Sequence, residues 1–263
     1  MGVVNATPDS FSGDGILPDP GDIQGAVDQA LRMEDEGADI IDVGGESSRP
    51  RSVYPDARPV SPDDEISRVV PIIEALVGRL AVPISIDTRK ASVASAAIAA
   101  GVVLANDVSM LADPAMAEVV ADLDVPIVVS HIRPGGHRSD VVEDVLSDLG
   151  SAIATLTGAG VDRSSVIADP GIGFAKTAPQ SIVLVATIAR LRKELALPVL
   201  VGTSRKSFIG AVTGDPVESR LFGTAASLAL AIQGGADIVR VHDVKDMVSV
   251  TRLSDAIVRD WDA

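Results

Sequence analysis

The sequence has no cysteine and only six aromatic residues among 263, and each scarcity excludes a class of protein. Without cysteine there is neither a disulfide framework nor a thiolate metal site. No apolar run approaches the roughly 18 residues that a membrane-spanning helix needs, and the three histidines show no metal-ligand spacing. The sequence predicts a soluble protein, and we expect it in the cytoplasm.

Positive charge is also scarce, with 22 Lys and Arg against 37 Asp and Glu, for a formal net charge of −15. This balance argues against nucleic acid or an anionic membrane as the main partner, because both attract basic surfaces. An anionic ligand would therefore need a local cationic pocket. Aliphatic residues are abundant, since 46% of the chain is hydrophobic, which is enough for a large core.

Short Val- and Ile-rich runs alternate eight times with segments whose apolar residues recur at helical spacing. The predicted strands are 2–5, 39–43, 83–87, 102–106, 126–130, 166–169, 198–202 and 238–241. The predicted helices are 22–37, 62–80, 90–100, 114–123, 140–159, 178–196, 216–233 and 245–260. Eight such units in about 260 residues favour a single-domain α/β protein, a (β/α)₈ TIM barrel over residues 1–263. A doubly wound open sheet is the alternative, because alternation cannot show closure.

The links after two of the strands are long and polar, whereas the links before the strands are short. Residues 6–21 and 44–61 follow the first and second strands, while Ala81-Val82 alone precedes the third. Structureless links of that length are uncommon in compact domains unless they have a function. We therefore expect the functional site at the carboxyl ends of the strands.

Nearly every predicted strand brings a polar side chain to that rim. The residues at or just past the strand ends are Asn5, Asp42 with Glu46, Asp87, Asn106, His131, Asp169, Lys206, and Arg240 with His242. A carboxylate that ends an apolar strand is costly unless partnered, so Asp87 and Asp169 indicate either a ligand with N–H donors or caps for the next helices. Arg240 and His242 share one side of a strand and suit a phosphate, unless Arg240 pairs with Asp243.

The aromatic residues are placed unevenly. Phe11, Tyr54, Phe174 and Phe208 all fall in predicted strand-to-helix loops. Flat rings at the rim favour a flat ligand, although loops also need hydrophobic anchors. His131 suits a structural role as well as it suits a ligand contact.

Two nucleotide-binding motifs are only approximated. Residues 202–207, Gly-Thr-Ser-Arg-Lys-Ser, end like a P-loop but have Arg205 where that motif requires glycine. Residues 171–176, Gly-Ile-Gly-Phe-Ala-Lys, lack the third glycine of the dinucleotide fingerprint. Neither segment predicts a nucleotide site.

Taken together, seven ordered segments make the chain resemble the dihydropteroate synthase family over essentially its whole length. They are NATPDSFS (5–12), DVGGESSRP (42–50), SIDT (85–88), NDVS (106–109), DPGIGFAKT (169–177), GTSRKSFIG (202–210) and RVHDV (240–244). The resemblance implies a pterin-binding TIM barrel and a transferase of folate biosynthesis. It implies condensation of 6-hydroxymethyl-7,8-dihydropterin diphosphate with p-aminobenzoate, which yields 7,8-dihydropteroate and pyrophosphate. A cation-like displacement is implied, with Mg²⁺ as cofactor, a homodimer as assembly and sulfonamides as inhibitors.

The resemblance also implies roles for individual residues. Those implied for the pterin diphosphate are Ser48, Asp87, Asn106, Asp169, Lys206, Arg240, Val241 and His242. Those implied for p-aminobenzoate are Thr7, Pro8, Arg49, Pro50, Phe174 and Ser207, with Lys206 bordering both substrates. Asn5, Lys206, Arg240 and His242 are implied to carry catalysis, and Asn5 to bind Mg²⁺.

The chain departs from the family pattern at several positions beside the implied site. Arg51 and Ala175 stand where the family often has glycine, Met110-Leu111 replaces a usual glycine pair, and Ser130-His131-Ile132 replaces a usual Met-His-Met. These departures bear on affinity and sulfonamide response more than on reaction type. A catalytically silent pterin-binding paralogue is the alternative function. A corrinoid-linked methyltransferase on a related barrel fits less well, because its tetrahydrofolate substrate has no diphosphate.

Overall fold

The computed structural model describes residues 1–6, 23–46, 60–136 and 140–259. Its eight strands are β1 (Gly2–Asn5), β2 (Ile41–Gly44), β3 (Ile84–Asp87), β4 (Leu104–Asp107), β5 (Ile127–Ser130), β6 (Val166–Asp169), β7 (Leu200–Val201) and β8 (Ile238–Val239). Its helices are α1 (Ile23–Asp35), α2 (Pro62–Leu76), α3 (Ala91–Ala99), α4 (Ala115–Asp122), α5 (Val141–Gly158), α6 (Ala178–Ala186), α7 (Ile188–Leu195), α8 (Ser207–Thr213), α9 (Leu221–Gln233) and α10 (Val244–Val258). The alternation predicted from the sequence is confirmed.

The strands close into a barrel. β1 to β6 form one parallel sheet in sequence order, and β7 and β8 form a parallel pair. Two single bridges join these pieces, Ala168 with Val199 and Gly2 with Val241. The Val3 amide donates to the Val241 carbonyl (3.1 Å), which places the eighth strand against the first. The fold is therefore the (β/α)₈ barrel, and the open-sheet alternative is wrong.

The predicted helices differ from the observed ones in the third quarter of the chain and beyond. The predicted helix 178–196 is two helices, because the chain bends at Thr187, where α6 ends and α7 begins. The predicted helix 216–233 begins as a 3-10 turn at Val217–Ser219 before α9. The short helix α8 is not among the predicted helices, because its residues lie between the seventh predicted strand and the predicted helix 216–233.

Helix starts follow local capping chemistry where the sequence signals it. Ser61 accepts the Asp64 amide (3.1 Å) ahead of Pro62 at the first position of α2, as the predicted helix start requires. Thr177 and Gln180 form a reciprocal capping box at the start of α6. This box fixes the end of the loop that joins β6 to α6.

The barrel has two hydrophobic clusters that alternate along the strands. Residues such as Ala105, Val129 and Val201 face the helices in the larger cluster. Their strand neighbours Met1, Leu104, Val128 and Leu200 form a smaller cluster, with Ile40, Ile167 and Ile238 packed against it. Alternation places this second set in the barrel interior. Among the described residues, none of the helices combines the length and apolarity that crossing a membrane requires.

Candidate active site

A polar layer lies directly above the apolar interior of the barrel. Side chains two residues apart on a strand point the same way, so the residue two places after each interior aliphatic residue also faces inward. Those residues are Asp42, Asn106, Ser130, Asp169, Gly202 and Arg240, two places after Ile40, Leu104, Val128, Ile167, Leu200 and Ile238 respectively. The two-residue period of the strands thus places a layer of hydrogen-bonding groups directly above the apolar interior.

A small cleft opens over this layer at the carboxyl ends of the strands. Its lining residues are Asn106, Val108, Asp169, Phe174, Gly202, Ser204, Lys206, Arg240 and His242. Six of the side chains that the sequence placed at the rim therefore lie around one cleft, contributed by β4, β6 and the segments after β6, β7 and β8. The predicted position of the site coincides with this cleft.

Four residues form the carboxylate half of the site, Asp42, Asp87, Asn106 and Arg240. Arg240 Nε donates to Asp42 Oδ2 (2.7 Å), and Arg240 Nη2 donates to Asp87 Oδ2 (2.6 Å). Asn106 Nδ2 donates to the same Asp42 oxygen (3.0 Å). The partner of Arg240 is thus not Asp243, which accepts from Arg205 instead (3.0 Å from Nε to Oδ2).

One guanidinium serves two buried carboxylates in this half. Asp42 is fully buried and Asp87 is nearly so. Burial raises the pKa of Asp87, with the Asp42 charge adding to the rise and the Arg240 charge opposing it. Asn106 Oδ1 and Asp42 Oδ1 are buried and accept no hydrogen bond within the described part of the chain. The half therefore combines excess negative charge with acceptors aimed inward, which suits a ligand edge rich in N–H donors.

On the opposite side of the site is the lysine half, made of Asp169, the loop Gly171–Phe174 and Lys206, with Lys176 behind the loop. Lys206 Nζ donates to the Ile172 carbonyl and lies 4.4 Å from the centre of the Phe174 ring. Burial lowers the pKa of Lys206 to about 8, although the Asp169 charge counteracts this. This half presents a cation and an aromatic face together, as an aromatic ligand carrying a negative group requires.

Asp169 is held by its neighbours and does not cap the next helix. Ser130 Oγ donates to Asp169 Oδ2 (2.9 Å), and the Gly171 amide donates to Asp169 Oδ1 (2.7 Å). Ser130 is one of the departures from the family pattern, and its hydroxyl makes a contact that a methionine could not make. Asp87 does not cap a helix either, because Lys90 is the N-cap residue of α3 and makes no side-chain cap bond.

His242 reaches the cleft next to Arg240. His242 Nδ1 lies 2.9 Å from Ser204 Oγ, and the His242 amide donates to the same oxygen (3.2 Å). The two residues therefore share a face, as predicted from their spacing. Val241 between them points away, packs in the core and binds the backbone of β1 through its own amide and carbonyl.

The remaining predicted site residues lie beside the cleft or outside the residues that the structure describes. Asn5 ends β1 opposite Gly44 and is partly exposed. Ser207 is exposed at the first position of α8. Neither lines the cleft. The predicted contacts Thr7, Pro8, Ser48, Arg49 and Pro50 lie outside the described residues. The aromatic residues Phe11 and Tyr54 and the departure Arg51 also lie outside them.

One sequence expectation is wrong, and the structure decides between two alternatives that the sequence left open. Phe208 is not a rim aromatic, because α8 turns its ring into the hydrophobic core, where it is 7% exposed. His131 is a structural histidine, since it is fully buried and its Nε2 lies 3.1 Å from Asp148 Oδ2. Phe174 is the described aromatic residue that remains at the cleft.

Three residues that hold the site had no predicted contact: Asp42 was expected only at the rim, Ser130 was named only as a departure, and Ser204 was not named as a site residue. Each binds a residue that was predicted, namely Arg240, Asp169 and His242. The interior period explains the rim position expected for Asp42 and also predicts Ser130, because both lie two places after an interior aliphatic residue. Ser204 carried no such signal, since the strand β7 ends before it.

Several departures from glycine sit at left-handed backbone positions. Met110, Leu111 and Ala175 have φ of 59°, 58° and 49°, a region that costs a residue with a Cβ roughly 1–2 kcal/mol. The chain therefore retains the backbone shape that glycine would favour at these places and accepts the strain of a side chain.

Comparison with known proteins gives one consistent result. Residues 1–242 match the model of a family described as pterin binding enzyme. The dihydropteroate synthase of Bacillus subtilis is 46% identical over 98% of this chain and 88% of its own length, and that of Clostridium beijerinckii is 46% identical over 98% and 94%.

Solved structures agree. The dihydropteroate synthase of Clostridium difficile, crystallised in the presence of pteroic acid, superposes with a TM-score of 0.91 at 40% identity, over 99% of this chain and 96% of that one. The Xanthomonas albilineans enzyme with 4-aminobenzoic acid superposes with a TM-score of 0.89 at 42% identity, over 98% and 92%.

Proposed function

The chain belongs to the pterin-binding enzymes and, among them, to the dihydropteroate synthases, and from that premise we propose its reaction. It is a transferase of folate biosynthesis that joins 6-hydroxymethyl-7,8-dihydropterin diphosphate to p-aminobenzoate. The products are 7,8-dihydropteroate and pyrophosphate. The observation that carries this proposal is the cleft whose two halves differ in charge, one rich in buried acceptors and the other in cations and an aromatic ring.

The pterin ring belongs to the polar layer. Its aminopyrimidine edge offers N–H donors and ring acceptors, and Asn106 has a buried oxygen without a partner among the described residues. Asp169 adds a second acceptor that Ser130 keeps in place, Asp87 a third, and Lys206 a donor. Leaving such groups unpaired would cost about 1–3 kcal/mol each, so a ligand that pairs them gains affinity and orientation.

The diphosphate belongs to Arg240 and His242. Arginine has five N–H donors in a planar fork, and the contacts to Asp42 and Asp87 engage two of its nitrogens. The remaining donors suit phosphate oxygens, for which the guanidinium is well matched. Ser48, outside the described residues, is proposed on the same side.

The p-aminobenzoate belongs to the lysine half. Phe174 supplies a face for its ring, and Lys206 supplies a charge for a negative or electron-rich group. Ser207, at the exposed start of α8, is close in sequence to Lys206 and is proposed as a further contact. The proposed contacts that lie outside the described residues are Thr7, Pro8, Arg49 and Pro50.

The reaction needs no nucleophile from the protein, because the arylamine is itself the nucleophile. The protein contributes by positioning the two substrates and by stabilising charge. The bond between the pterin methylene carbon and the diphosphate oxygen breaks, and the arylamine nitrogen forms the new bond to that carbon. The amine proton passes to the departing pyrophosphate or to solvent. Arg240 and His242 stabilise the charge that grows on the leaving group, while the walls of the cleft align the two substrates.

Mg²⁺ is proposed as the cofactor and fits the residues only as a partner of the diphosphate. Within the described residues, no group of three or more His, Cys, Asp or Glu side chains could hold a metal by itself. Mg²⁺ commonly takes one or two protein oxygens together with substrate phosphates and waters, and the Asn5 amide oxygen at the end of β1 would be such a ligand. When bound, the ion would neutralise charge on the diphosphate.

Turnover separates this function from the silent paralogue. The purified protein is given pterin diphosphate, p-aminobenzoate and Mg²⁺, and pyrophosphate release is followed while the pteroate is identified by mass. We expect one pyrophosphate for each pteroate, and no pteroate when p-aminobenzoate is omitted. Saturable pterin binding with no turnover would instead establish a binding protein.

A homodimer in the cytoplasm is proposed as the working form. Helices α8 to α10 carry the strongly exposed apolar side chains Val212, Phe222, Leu253 and Ile257, between 64% and 85% accessible. Such surface is commonly covered by a partner in soluble proteins. Light scattering after size exclusion is expected to give twice the chain mass, and Phe222→Glu to shift it toward the monomer. An unchanged monomer mass in both would contradict the dimer.

A further inference from the structure

Lys176 is an ionisable side chain near the cleft that the proposed chemistry does not use. It does not line the cleft. Its Nζ instead lies 2.9 Å from the Gly171 carbonyl, 3.2 Å from the Phe174 carbonyl and 3.1 Å from the His131 carbonyl. An ammonium has three protons, which these carbonyls share with the nearby His131 ring nitrogen.

The backbone of the β6–α6 loop is shaped around that ammonium. Positive φ angles alternate along it, at Gly171 (64°), Gly173 (82°) and Ala175 (49°). At Gly171 a Cβ would lie 1.9 Å from the His131 carbonyl oxygen, so this loop and the end of β5 approach too closely for any side chain. The turns bring carbonyl oxygens from two loops to one point, where they would repel one another without a shared hydrogen-bond donor.

His131 links the ammonium to a second anchor. His131 Nδ1 lies 3.0 Å from Lys176 Nζ, and His131 Nε2 lies 3.1 Å from Asp148 Oδ2. Nδ1 therefore accepts and Nε2 donates, as the partners on each side require. Arg133 binds both oxygens of Asp148 (2.8 and 2.7 Å). The support for the loop thus extends to the helix α5, outside the cleft.

The opposite face of the same loop carries the contacts proposed for the arylamine. The Ile172 carbonyl accepts from Lys206, and the Phe174 ring lies 4.4 Å from the Lys206 ammonium. The loop is therefore held from behind by Lys176 and from the cleft side by Lys206. Asp169 also accepts the Gly171 amide of this loop (2.7 Å), but it has further anchors in Ser130 and in the backbone pairing of β5 with β6.

We propose that Lys176 is a positioning residue for the arylamine site, which rests on the proposed function. The donors on its Nζ, held against His131, fix the loop Gly171–Phe174 and thereby set where the Phe174 ring meets p-aminobenzoate. Because Asp169 is anchored separately, the pterin side depends on Lys176 much less. Loss of the Lys176 amine is therefore expected to raise the KM for p-aminobenzoate more than the KM for the pterin diphosphate.

The test is Lys176→Met, which keeps the length of the side chain and removes the charge. With the other substrate saturating, KM for p-aminobenzoate is expected to rise at least about tenfold, since a charge-assisted hydrogen bond of this kind is lost. KM for the pterin diphosphate is expected to stay within about twofold. Lys193→Met on the exposed face of α7 is the matched control and should change neither.

A rescue separates the role of the ammonium from general stability. The natural chain has no cysteine, so Lys176→Cys can be alkylated in denaturant with 2-bromoethylamine and refolded. The product regains an ammonium on a side chain with the same number of atoms. We expect the low KM for p-aminobenzoate to return after alkylation and to stay high in the unalkylated protein. Lys176→Gln, which keeps N–H donors, is the milder variant if Lys176→Met does not fold.

The outcomes distinguish the two proposals. No turnover by the wild-type protein overturns the function and, with it, the arylamine role of Lys176. Wild-type turnover with an unchanged KM for p-aminobenzoate in a folded Lys176→Met or Lys176→Gln overturns the positioning role alone. Equal rises in both KM values, with a lower melting temperature and no recovery on alkylation, also overturn it and leave only a structural lysine.

Discussion

The two halves of the cleft solve the problem of buried charge in different ways. In the carboxylate half, Asp42 and Asp87 share one guanidinium through side-chain ion pairs. In the lysine half, Lys176 and Lys206 are bound mainly by backbone carbonyls. Side-chain pairs depend on both partners, whereas carbonyls cannot be removed by substitution. Loss of any one side chain should therefore disturb the carboxylate half. The lysine half should instead be sensitive to changes in the shape of its loop.

The largest expected effect is the loss of Asp42. Asp42→Ala removes the shared acceptor of Arg240 and Asn106 and leaves a buried guanidinium short of a partner. Breaking a buried pair costs about 3–5 kcal/mol of unfolding free energy, measurable by urea denaturation. Asp42→Asn keeps one acceptor oxygen and should lose clearly less. A loss below about 1 kcal/mol for Asp42→Ala, the range of exposed pairs, would contradict the account of this half.

The loss of Arg240 should be seen in anion binding. Arg240→Ala is expected to weaken pyrophosphate binding by about 1.5–3 kcal/mol, as for a hydrogen bond to a charged group. Calorimetry with pyrophosphate measures this, and Arg192→Ala, whose guanidinium pairs with Asp237 on the barrel exterior, serves as the control. Pyrophosphate affinity equal to that of the wild type would remove Arg240 from the anion site.

The lysine half predicts a rise of stability with pH. Burial lowers the pKa of Lys176 from 10.5 to about 7 and that of Lys206 to about 8. Between these values and 10.5 the unfolded chain binds more protons than the folded one, so the free energy of unfolding rises with pH. This gain is complete above pH 10.5 and is lost as the pH falls through 8 and 7.

Substitution of Lys176 tests how much this residue contributes to the rise of the free energy of unfolding with pH. Urea midpoints between pH 7 and pH 9.5 should rise less steeply in Lys176→Met than in the wild-type protein. Lys245→Met, at an exposed position of α10, should leave the slope as it is. A wild-type slope that Lys176→Met does not change would show that this ammonium is not desolvated in the folded protein.

The smallest expected effect concerns loop shape. Ala175→Gly relieves a side chain at φ 49°, and we expect a gain of up to about 1 kcal/mol. Ala189→Gly within α7 should instead lose about 0.5–1 kcal/mol. The pair, measured by thermal unfolding, shows whether the left-handed backbone of the loop exists in solution. A loss at Ala175 equal to that at Ala189 would contradict it.

The sequence was a good guide wherever one periodicity decided the outcome. All eight strands and the rim at their carboxyl ends follow from alternation and from the lengths of the links. The same period also explains why Asn106, Asp169 and Arg240 meet, since each lies two places above an interior aliphatic residue. Closure of the barrel could not be predicted in this way, because the bridges that complete it involve only Gly2 with Val241 and Ala168 with Val199.

The sequence was a poor guide wherever a partner is distant or a turn is unusual. Arg240 binds Asp42, which is 198 positions away in the sequence. The alternative that Arg240 pairs with the nearby Asp243 is therefore wrong. Lys176 gave no signal, because its partners are carbonyls brought together by left-handed turns at Gly171 and Ala175. Phe208 was placed at the rim because α8 was read as a loop.

The division of the cleft between two substrates is tested most directly by one crossed measurement. KM for each substrate is determined, with the other saturating, in the wild-type protein, Asp87→Asn and Lys176→Met. We expect Asp87→Asn to raise KM for the pterin diphosphate about tenfold and Lys176→Met to raise KM for p-aminobenzoate, each with little effect on the other substrate. Variants that both raise the two KM values by the same factor would contradict the division.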